Sequence, residues 1–166
     1  MEQPPVRRSA RILLVDTDDR ILLFRFARRP TETSGDYWIT PGGGVHEAEP
    51  LARAAARELR EETGLVVTPA DIGTPVAVTG GYADIPGWLS GEFRDVFFFC
   101  RTTPYDIDTA AMETFERGAV RGHRWWTLDE LSATSETIYP LGLAALLPEL
   151  IAGRLPAEPV TLPWHH

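Results

Sequence analysis

The sequence of 166 residues contains no lysine, one cysteine and no apolar run long enough to cross a membrane. The single Cys100 cannot form an internal disulfide, and its apolar neighbours predict a buried thiol in a strand, in agreement with a reducing compartment. The longest apolar stretch, 141–147, ends at Pro148, and the basic start of the chain precedes too short an apolar run for a signal peptide. We therefore expect a cytoplasmic protein without a membrane partner.

Positive charge is scarce as well. The 16 basic residues are all arginine and stand against 24 acidic residues, so the formal net charge is −8. An acidic surface repels a phosphodiester backbone, which argues against the binding of long nucleic acids. Arginine recognises phosphate and carboxylate groups through paired donors, although the absence of lysine also fits a bias in genome composition.

Several signatures of hydrolytic enzymes are missing. The sequence has no serine nucleophile elbow with matching histidine and aspartate, no Cys-x-x-Cys pair and no His-Glu-x-x-His motif. His123 stands alone between Gly122 and Arg124, which is typical of an exposed or hydrogen-bonded histidine rather than a metal ligand. A serine hydrolase and a zinc enzyme therefore have no support in the sequence.

Length and composition predict one domain over residues 1–166, with loose tails at about 1–5 and 156–166. Apolar residues make up 43% of the chain and charged residues 24%, near the average of globular proteins. Turn residues divide the chain into short apolar runs. The predicted strands are 10–15, 21–26, 37–40, 66–68, 75–79, 92–101 and 121–127. Predicted helices at 49–63, 128–131 and 141–151, the last broken or kinked near its proline, complete an α/β layer fold.

The clearest predicted helix carries three glutamates on one face. Glu58, Glu61 and Glu62 are spaced i, i+3, i+4, so their carboxylates project within one turn. Gly64 follows at the position favoured for a left-handed helix cap. Two interpretations are open at this point. The first is a solvated face on which arginines offset the repulsion, with Arg57 one turn before Glu61, and the second is a functional cluster.

The loop before this helix favours the functional cluster. Pro41-Gly42-Gly43-Gly44 allows main-chain carbonyl and amide groups to approach a ligand closely. Carboxylates, carbonyls and water are the ligands of hard cations such as Mg²⁺ and Mn²⁺. Mg²⁺ is commonly held by one or two carboxylates together with substrate phosphates. The combination predicts a site for a metal-bound diphosphate, in which cations bridge the acidic residues to an anionic substrate.

The same stretch resembles the Nudix box, the signature of the Nudix hydrolase superfamily. Gly43, five residues, Glu49 and seven residues lead to Arg57-Glu58-Leu59-Arg60-Glu61-Glu62-Thr63-Gly64-Leu65, and every defining position of the signature is matched. His46 and Glu47-Ala48 depart from residues often seen in the family, but at variable positions. The resemblance implies an α/β/α sandwich with a mixed sheet between helices.

The resemblance also implies a reaction, the hydrolysis of a diphosphate linked to another group by water attacking one phosphorus. The implied ligands of Mg²⁺, with Mn²⁺ as a substitute, are Glu58, Glu61, Glu62 and a carbonyl of Gly42 or Gly43. Glu61 or Glu62 would act as the base that orients the water.

Further catalytic roles are implied around this metal site. Arg57 would orient a neighbouring glutamate, and Glu49 would be a structural or outer-shell carboxylate. Many members of the family recruit a further glutamate from a loop outside the box. Glu116 is the candidate here, with Glu113 as its alternative, and either fits equally a plain surface position.

Substrate choice has to come from residues outside the box. Arg25 and Arg94 lie near strands expected to border the cleft, where they would hold phosphates or form surface salt bridges. Tyr82 lies near a hairpin tip, where it would stack on a base or cover the sheet edge. Trp38, just before the glycine loop, would form a wall of the pocket or pack in the core.

These features predict a Mg²⁺-dependent Nudix hydrolase of a small nucleoside diphosphate derivative. The substrate classes are a nucleoside triphosphate, an oxidised nucleotide, or a sugar or dinucleotide pyrophosphate. The alternative is a non-catalytic module that senses a nucleotide or ADP-ribose, although the retention of three clustered glutamates argues against it. An RNA 5′ end is disfavoured by the charge balance, and a homodimer is an expectation from the family alone.

Overall fold

The first hairpin follows from two apolar runs around an acidic turn. In the computed structural model, which describes residues 6–27, 35–85, 89–112 and 119–164, β1 (Arg7–Asp16) pairs with antiparallel β2 (Ile21–Phe26). The buried Asp16 closes the turn, because one carboxylate oxygen accepts the N–H groups of Asp18 and Arg20, each at 2.9 Å. The other oxygen accepts the Arg20 Nε–H at 2.9 Å.

The strands form one mixed sheet. The further strands are β3 (Tyr37–Ile39), β4 (Gly42–Gly44), β5 (Ala77–Ile85), β6 (Leu89–Thr102), β7 (Val120–Trp126), β8 (Thr137–Tyr139) and β9 (Val160–Thr161). Their order is β8-β3-β2-β1-β6-β5-β9, with β4 paired to β1 and β7 paired to β2. The pairs β1–β6, β3–β8 and β5–β9 are parallel, and the remaining pairs are antiparallel.

Helices cover both faces of this sheet. They are α1 (Leu51–Thr63), α2 (Pro69–Ile72), α3 (Leu128–Ala133) and α4 (Leu143–Ile151). Alternate residues of β1 enter opposite cores, because successive side chains of a strand point to opposite faces. Ile12 and Leu14 pack with α1, whereas Leu13 and Val15 pack with α3 and α4. The predicted α/β/α sandwich with a mixed sheet is confirmed.

Two local predictions need correction. The strand predicted at 66–68 does not form, because Thr68 instead caps α2 and its hydroxyl accepts the Asp71 N–H at 3.3 Å. The helix predicted over 141–151, broken or kinked near its proline, begins at Leu143 and continues through Pro148 to Ile151 without a break. Cys100 is buried as predicted, and burial raises the pKa of its thiol.

The segment near the end of the chain also differs from the expectation of a loose tail. Val160 donates its N–H to Val76 O at 3.0 Å, and Leu162 donates to Val78 O at 2.8 Å. Leu162 is only 7% exposed, so its burial supplies the apolar contact that fixes the segment against β5.

Among the described residues, no helix combines the length and the apolar character that a membrane crossing needs.

Candidate metal and diphosphate site

Helix α1 brings its glutamates close to the sheet. Three consecutive alanines, Ala54–Ala56, are buried and leave the helix backbone near β1 and β4. Glu58 and Glu62 are one turn apart on this buried side and are only 5% and 3% exposed. Gly64 ends the helix at φ 80°, as predicted, and its N–H donates to Arg60 O at 2.9 Å.

Gly42 holds the carboxylate of Glu62. Its N–H donates to Glu62 Oε2 at 2.8 Å, so a loop amide and a helix carboxylate are joined in a buried place. Gly42 has φ +142°, and a Cβ atom there would lie 2.3 Å from Ala10 O. Only glycine therefore allows the loop to lie this close to β1 and to present its amide to Glu62.

Gly43 makes room for the carboxylate of Glu58. A Cβ atom at this position would lie 2.7 Å from both Cδ and Oε1 of Glu58. The space that a side chain would fill is thus taken by the Glu58 carboxylate, whose Oε1 also accepts from Arg57 Nη1 at 3.0 Å. The glycine loop and the buried face of α1 are complementary in shape.

Arg57 connects the helix to both sides of the loop. Its Nε and Nη2 donate to the two oxygens of Glu49, each at 3.0 Å, and Nη2 also donates to Gly44 O at 3.0 Å. The longest contact is to Glu61 Oε2 at 3.4 Å. The hydrogen bonds from Arg57 are the main cause that lowers the pKa of Glu49 to about 2, and their counterpart raises the pKa of Arg57.

The present side-chain positions leave the carboxylates apart. In the part of the chain that the structure describes, no three histidine, cysteine or acidic groups are gathered around one point. The reason is visible in the contacts, because Gly42 holds Glu62 while Arg57 holds Glu58. The side chain of Glu61 is more accessible, at 21% exposure, and its contact with Arg57 is long.

The donor set nevertheless fits a hard divalent cation. Carboxylate oxygens and loop carbonyls are the groups that Mg²⁺ and Mn²⁺ select, and three carboxylates lie within one turn of α1 beside the glycine loop. The gap that Gly43 leaves for Glu58 keeps an acidic oxygen at the loop backbone.

The residues expected to bind substrate are not gathered at this cluster. Arg25 is paired with Asp36, Nε to Oδ2 at 3.0 Å, and Trp38 is 8% exposed in the core, where its ring packs on Trp126 at 5.2 Å between centroids. The pocket-wall alternative for Trp38 gives way to the core alternative, because β3 turns this side chain toward α3 and α4.

Two further candidates are exposed on the β5–β6 hairpin. Tyr82 is 61% exposed, and Arg94 lies on β6 directly beside Arg8 of β1. Among the described residues, Arg8 and Arg94 form no ion pair. Glu116 and Glu113 lie outside the described residues.

The sequence interpretation missed Arg11. Its Nη1 donates to Thr40 O at 3.1 Å and to Gly42 O at 3.3 Å, so this arginine holds the strand end and the glycine loop together. A signal was present in the sequence, because Arg11 is a charged residue inside the apolar alternation of β1, between two residues that are fully buried.

Comparisons with known proteins agree with this geometry. A family model described as NUDIX domain matches residues 5–147. RNA pyrophosphohydrolase from Sphingopyxis alaskensis is 39% identical over 134 residues, which cover 80% of this chain and 68% of that protein. Nudix hydrolase 27, chloroplastic, from Arabidopsis thaliana is 39% identical over 95 residues, which cover 56% of this chain but only 35% of that protein.

The fold comparison leads to the same group of proteins. The NUDIX domain of Shewanella oneidensis NrtR, solved with ADP ribose, superimposes with a TM-score of 0.63 at 17% identity. The superposition covers 89% of this chain and 90% of that one. At this identity the likeness concerns the fold.

Proposed function

Because the chain belongs to the NUDIX domain family and is a hydrolase of that family, we propose that it cleaves the diphosphate linkage of a nucleotide derivative with a bound Mg²⁺ or Mn²⁺. The observation that carries the proposal is the pairing of two buried glutamates of α1 with the glycine loop, Glu62 on the Gly42 amide and Glu58 in the space left by Gly43. The net charge of −8 disfavours long polyanions, which supports a small nucleotide as the substrate.

The residues divide the work as follows. Glu58, Glu61 and Glu62, with a carbonyl of Gly42 or Gly43, would hold the cation. A bound divalent cation neutralises phosphate oxygens and lowers the pKa of a water ligand. The accessibility of Glu61 supports it as the base that takes a proton from the attacking water, with Glu62 as the alternative. The new P–O bond forms to this water, and the bond to the leaving phosphate breaks.

A substrate panel tests the proposal. Nucleoside triphosphates, oxidised nucleotides, nucleotide sugars and dinucleotide pyrophosphates would be incubated with Mg²⁺ or Mn²⁺ in ¹⁸O-water and analysed by mass spectrometry. We expect cleavage of at least one class, with ¹⁸O in one product. Replacement of Glu61 or Glu62 by Gln should lower kcat by about 100-fold or more, since each removes a ligand or base.

The matched control is Glu47→Gln, an exposed glutamate in the loop before α1. Its kcat should stay within about twofold of the wild type, since a change in net charge alone has little effect. Wild-type turnover in both site variants would contradict the site assignment. Binding of a nucleotide without any product would favour the alternative, a module that senses a nucleotide or ADP-ribose.

An RNA 5′ end is a second candidate substrate, contrary to the expectation from net charge. The supporting observations are the RNA pyrophosphohydrolase relative and two arginines side by side on neighbouring strands, Arg8 and Arg94, which form no ion pair with any other described residue. Adjacent like charges repel, and a phosphate between them would remove this cost. If RNA is the substrate, kcat/KM for a 5′-triphosphorylated RNA should exceed that for the free nucleotide, and Arg8→Met with Arg94→Met should abolish the difference.

A further inference from the structure

Arg11 is placed between the sheet and the glycine loop, and nothing in the proposed chemistry uses it so far. The aliphatic part of its side chain covers Gly42, since a Cβ atom on that glycine would lie 3.0 Å from Arg11 Cδ. Its guanidinium then reaches two loop carbonyls, Thr40 O at 3.1 Å and Gly42 O at 3.3 Å. The arginine therefore contacts Gly42 through both its stem and its head.

The remaining surroundings of Arg11 do not explain a charged residue at this place. Among the described residues Arg11 forms no ion pair, and the nearby Asp95 carboxylate accepts the hydroxyl of Ser9. Within the described ranges, Arg11 Nε is buried and has no hydrogen-bond partner. Burial of this Nε–H without an acceptor costs free energy, which points to a task for the bonds that the guanidinium makes to the loop carbonyls.

Those bonds connect Arg11 to the acidic cluster through a single residue. Gly42 accepts from Arg11 with its carbonyl and donates to Glu62 with its amide. A carbonyl oxygen has two lone pairs, so the bond from Arg11 leaves one acceptor direction for a further partner. Without the arginine, neither the direction of the Gly42 carbonyl nor the position of the Gly42 amide that holds Glu62 would be fixed.

We propose that Arg11 is a positioning residue for the metal site: by donating to the carbonyls of Thr40 and Gly42, it fixes the glycine loop that holds Glu62 and offers a carbonyl to the cation. The inference rests on the proposed function only where it concerns the bound cation. The positioning of the glycine loop by Arg11 does not depend on the proposed function. Residues that donate a hydrogen bond to a metal ligand, and do not bind the metal themselves, commonly contribute about 10- to 100-fold to metal affinity.

The test measures Mn²⁺ binding to the full chain by electron paramagnetic resonance, without substrate. Arg11→Met keeps the aliphatic stem and removes the donors, so its dissociation constant for Mn²⁺ should rise about tenfold or more. Arg11→Lys keeps the charge, but its compact ammonium lacks the planar donor fork, so it should recover only part of the affinity. Arg7→Met, at an exposed arginine on the same strand, is the matched control and should bind as the wild type does.

The sign of the change separates positioning from a simple charge effect. If Arg11 acted only through its charge, Arg11→Met would bind Mn²⁺ more tightly, because a positive charge beside the cation would be gone. Tighter or unchanged binding in Arg11→Met, or an equal loss in Arg7→Met, would overturn the inference. Thermal unfolding of each variant checks the fold, and Arg11→Lys carries the test if Arg11→Met does not fold.

A second measurement needs no metal. Hydrogen exchange of the Gly42 amide, followed by NMR in the metal-free protein, should be faster in Arg11→Met, because the loop no longer holds this amide on Glu62. If the wild type binds no Mn²⁺, the proposed function fails while this exchange still tests the positioning of the loop. An unchanged exchange rate would overturn the inference whatever the metal result.

In turnover, the same variant should show lower kcat at a fixed low Mg²⁺ concentration and recover as Mg²⁺ is raised, with KM for the substrate changed much less. This pattern follows because the substitution acts on the metal site and leaves substrate contacts in place. An increase in KM with unchanged kcat at every Mg²⁺ concentration would instead identify Arg11 as a substrate-binding residue.

Discussion

At the residue scale, the guanidinium of Arg57 contacts Glu49, Glu58, Glu61 and the carbonyl of Gly44. The sequence left open whether the glutamates of α1 form a salt-bridged face or a functional cluster. The structure shows the ion pairs of the first interpretation, and the arginine that offsets the repulsion also fastens the helix to the glycine loop. The functional cluster is our proposal. The balancing charge is therefore part of the architecture of the site.

The ion pair between Glu49 and Arg57 should make stability depend on pH. The pKa of Glu49 is about 2 in the folded protein against an ordinary value of 4.5, so its contribution is present above about pH 4.5 and is lost as pH falls toward 2. Glu49→Gln should lower the free energy of unfolding by about 1 kcal/mol at pH 7, since solvent screens part of the pair. Urea titrations at pH 7 and pH 3 measure this difference, which should shrink at pH 3.

Glu47→Gln is the control for this pH series. The residue is exposed in the same loop, and its removal should leave the free energy of unfolding unchanged within about 0.5 kcal/mol at both pH values. A loss in Glu49→Gln that is equally large at pH 3 and pH 7 would show that packing, and not the ionised carboxylate, is responsible.

Ala48 occupies a backbone conformation that suits glycine. Its φ is 60°, in the left-handed region that costs an alanine about 1 kcal/mol. Ala48→Gly should therefore raise the free energy of unfolding by about 0.5–1 kcal/mol, measured by urea denaturation. The exposed helical Ala145 is the opposite control, because glycine there should lower stability by a similar amount, about 0.5–1 kcal/mol. Destabilisation by both substitutions would contradict the strain at Ala48.

At the element scale, the elements that sequence reasoning missed or placed wrongly are short, although the short β3 was predicted. Helix α2 has only four residues and shows no hydrophobic period. The capping pair of Thr68 and Asp71 nevertheless indicates where this helix begins. Strand β9 has only two residues and forms by pairing with β5, so no local sequence pattern predicts it. Long elements such as α1 were predictable because their period extends over several turns.

The segment around β9 is stabilised by one buried leucine, and this is testable. Leu162→Ala should lower the free energy of unfolding by about 2–3 kcal/mol, because the side chain is packed in the core beside α4. Val160→Ala in the same segment is the control, since Val160 is 39% exposed, and it should cost less than about 0.5 kcal/mol. Chemical denaturation measures both. If Leu162→Ala lowered the free energy of unfolding as little as Val160→Ala does, the expectation of a loose tail would be supported instead.

At the scale of the whole molecule, Arg101 joins parts of the chain that are distant in sequence. From β6 its Nη1 donates to Asp16 O at 3.2 Å and to Asp19 Oδ1 at 2.7 Å in the first turn. Its Nη2 donates to Ile151 O at the end of α4, at 3.0 Å. The far end of the sheet from the glycine loop is thus tied to a helix by one side chain.

Arg101→Met should loosen both attachments together. We expect a loss of about 1 kcal/mol in the free energy of unfolding, since the contacts are partly exposed to solvent. Hydrogen exchange followed by mass spectrometry should show lower protection both in the first turn and at the end of α4. Arg154→Met, which removes a pair within one exposed region near Glu149, should affect only the end of α4. Loss at one place alone in Arg101→Met would argue against the connection.

The fold and the acidic cluster could be predicted because their signals are local in sequence. The spacing of Glu58, Glu61 and Glu62 and the glycines before them lie within one short stretch, and apolar runs between turns indicate the longer strands. The order of the strands, with the parallel pair β1–β6, depends on distant residues and was not predicted. Arg11 and Trp38 were harder, because their neighbours come from distant strands. The partner of Arg25 was not predictable for a similar reason, since the choice of Asp36 depends on how β2 meets β3.

The contacts at the end of the chain have a further consequence for the outer edge of β5. An uncovered strand edge offers free N–H and C=O groups to a second molecule and so promotes aggregation. Here the carbonyls of Val76 and Val78 accept from the segment around β9, and the indole of Trp164 donates to Tyr82 O at 3.1 Å. A second chain would have to displace these bonds before it could extend the sheet, so this short segment protects the protein against edge-to-edge association.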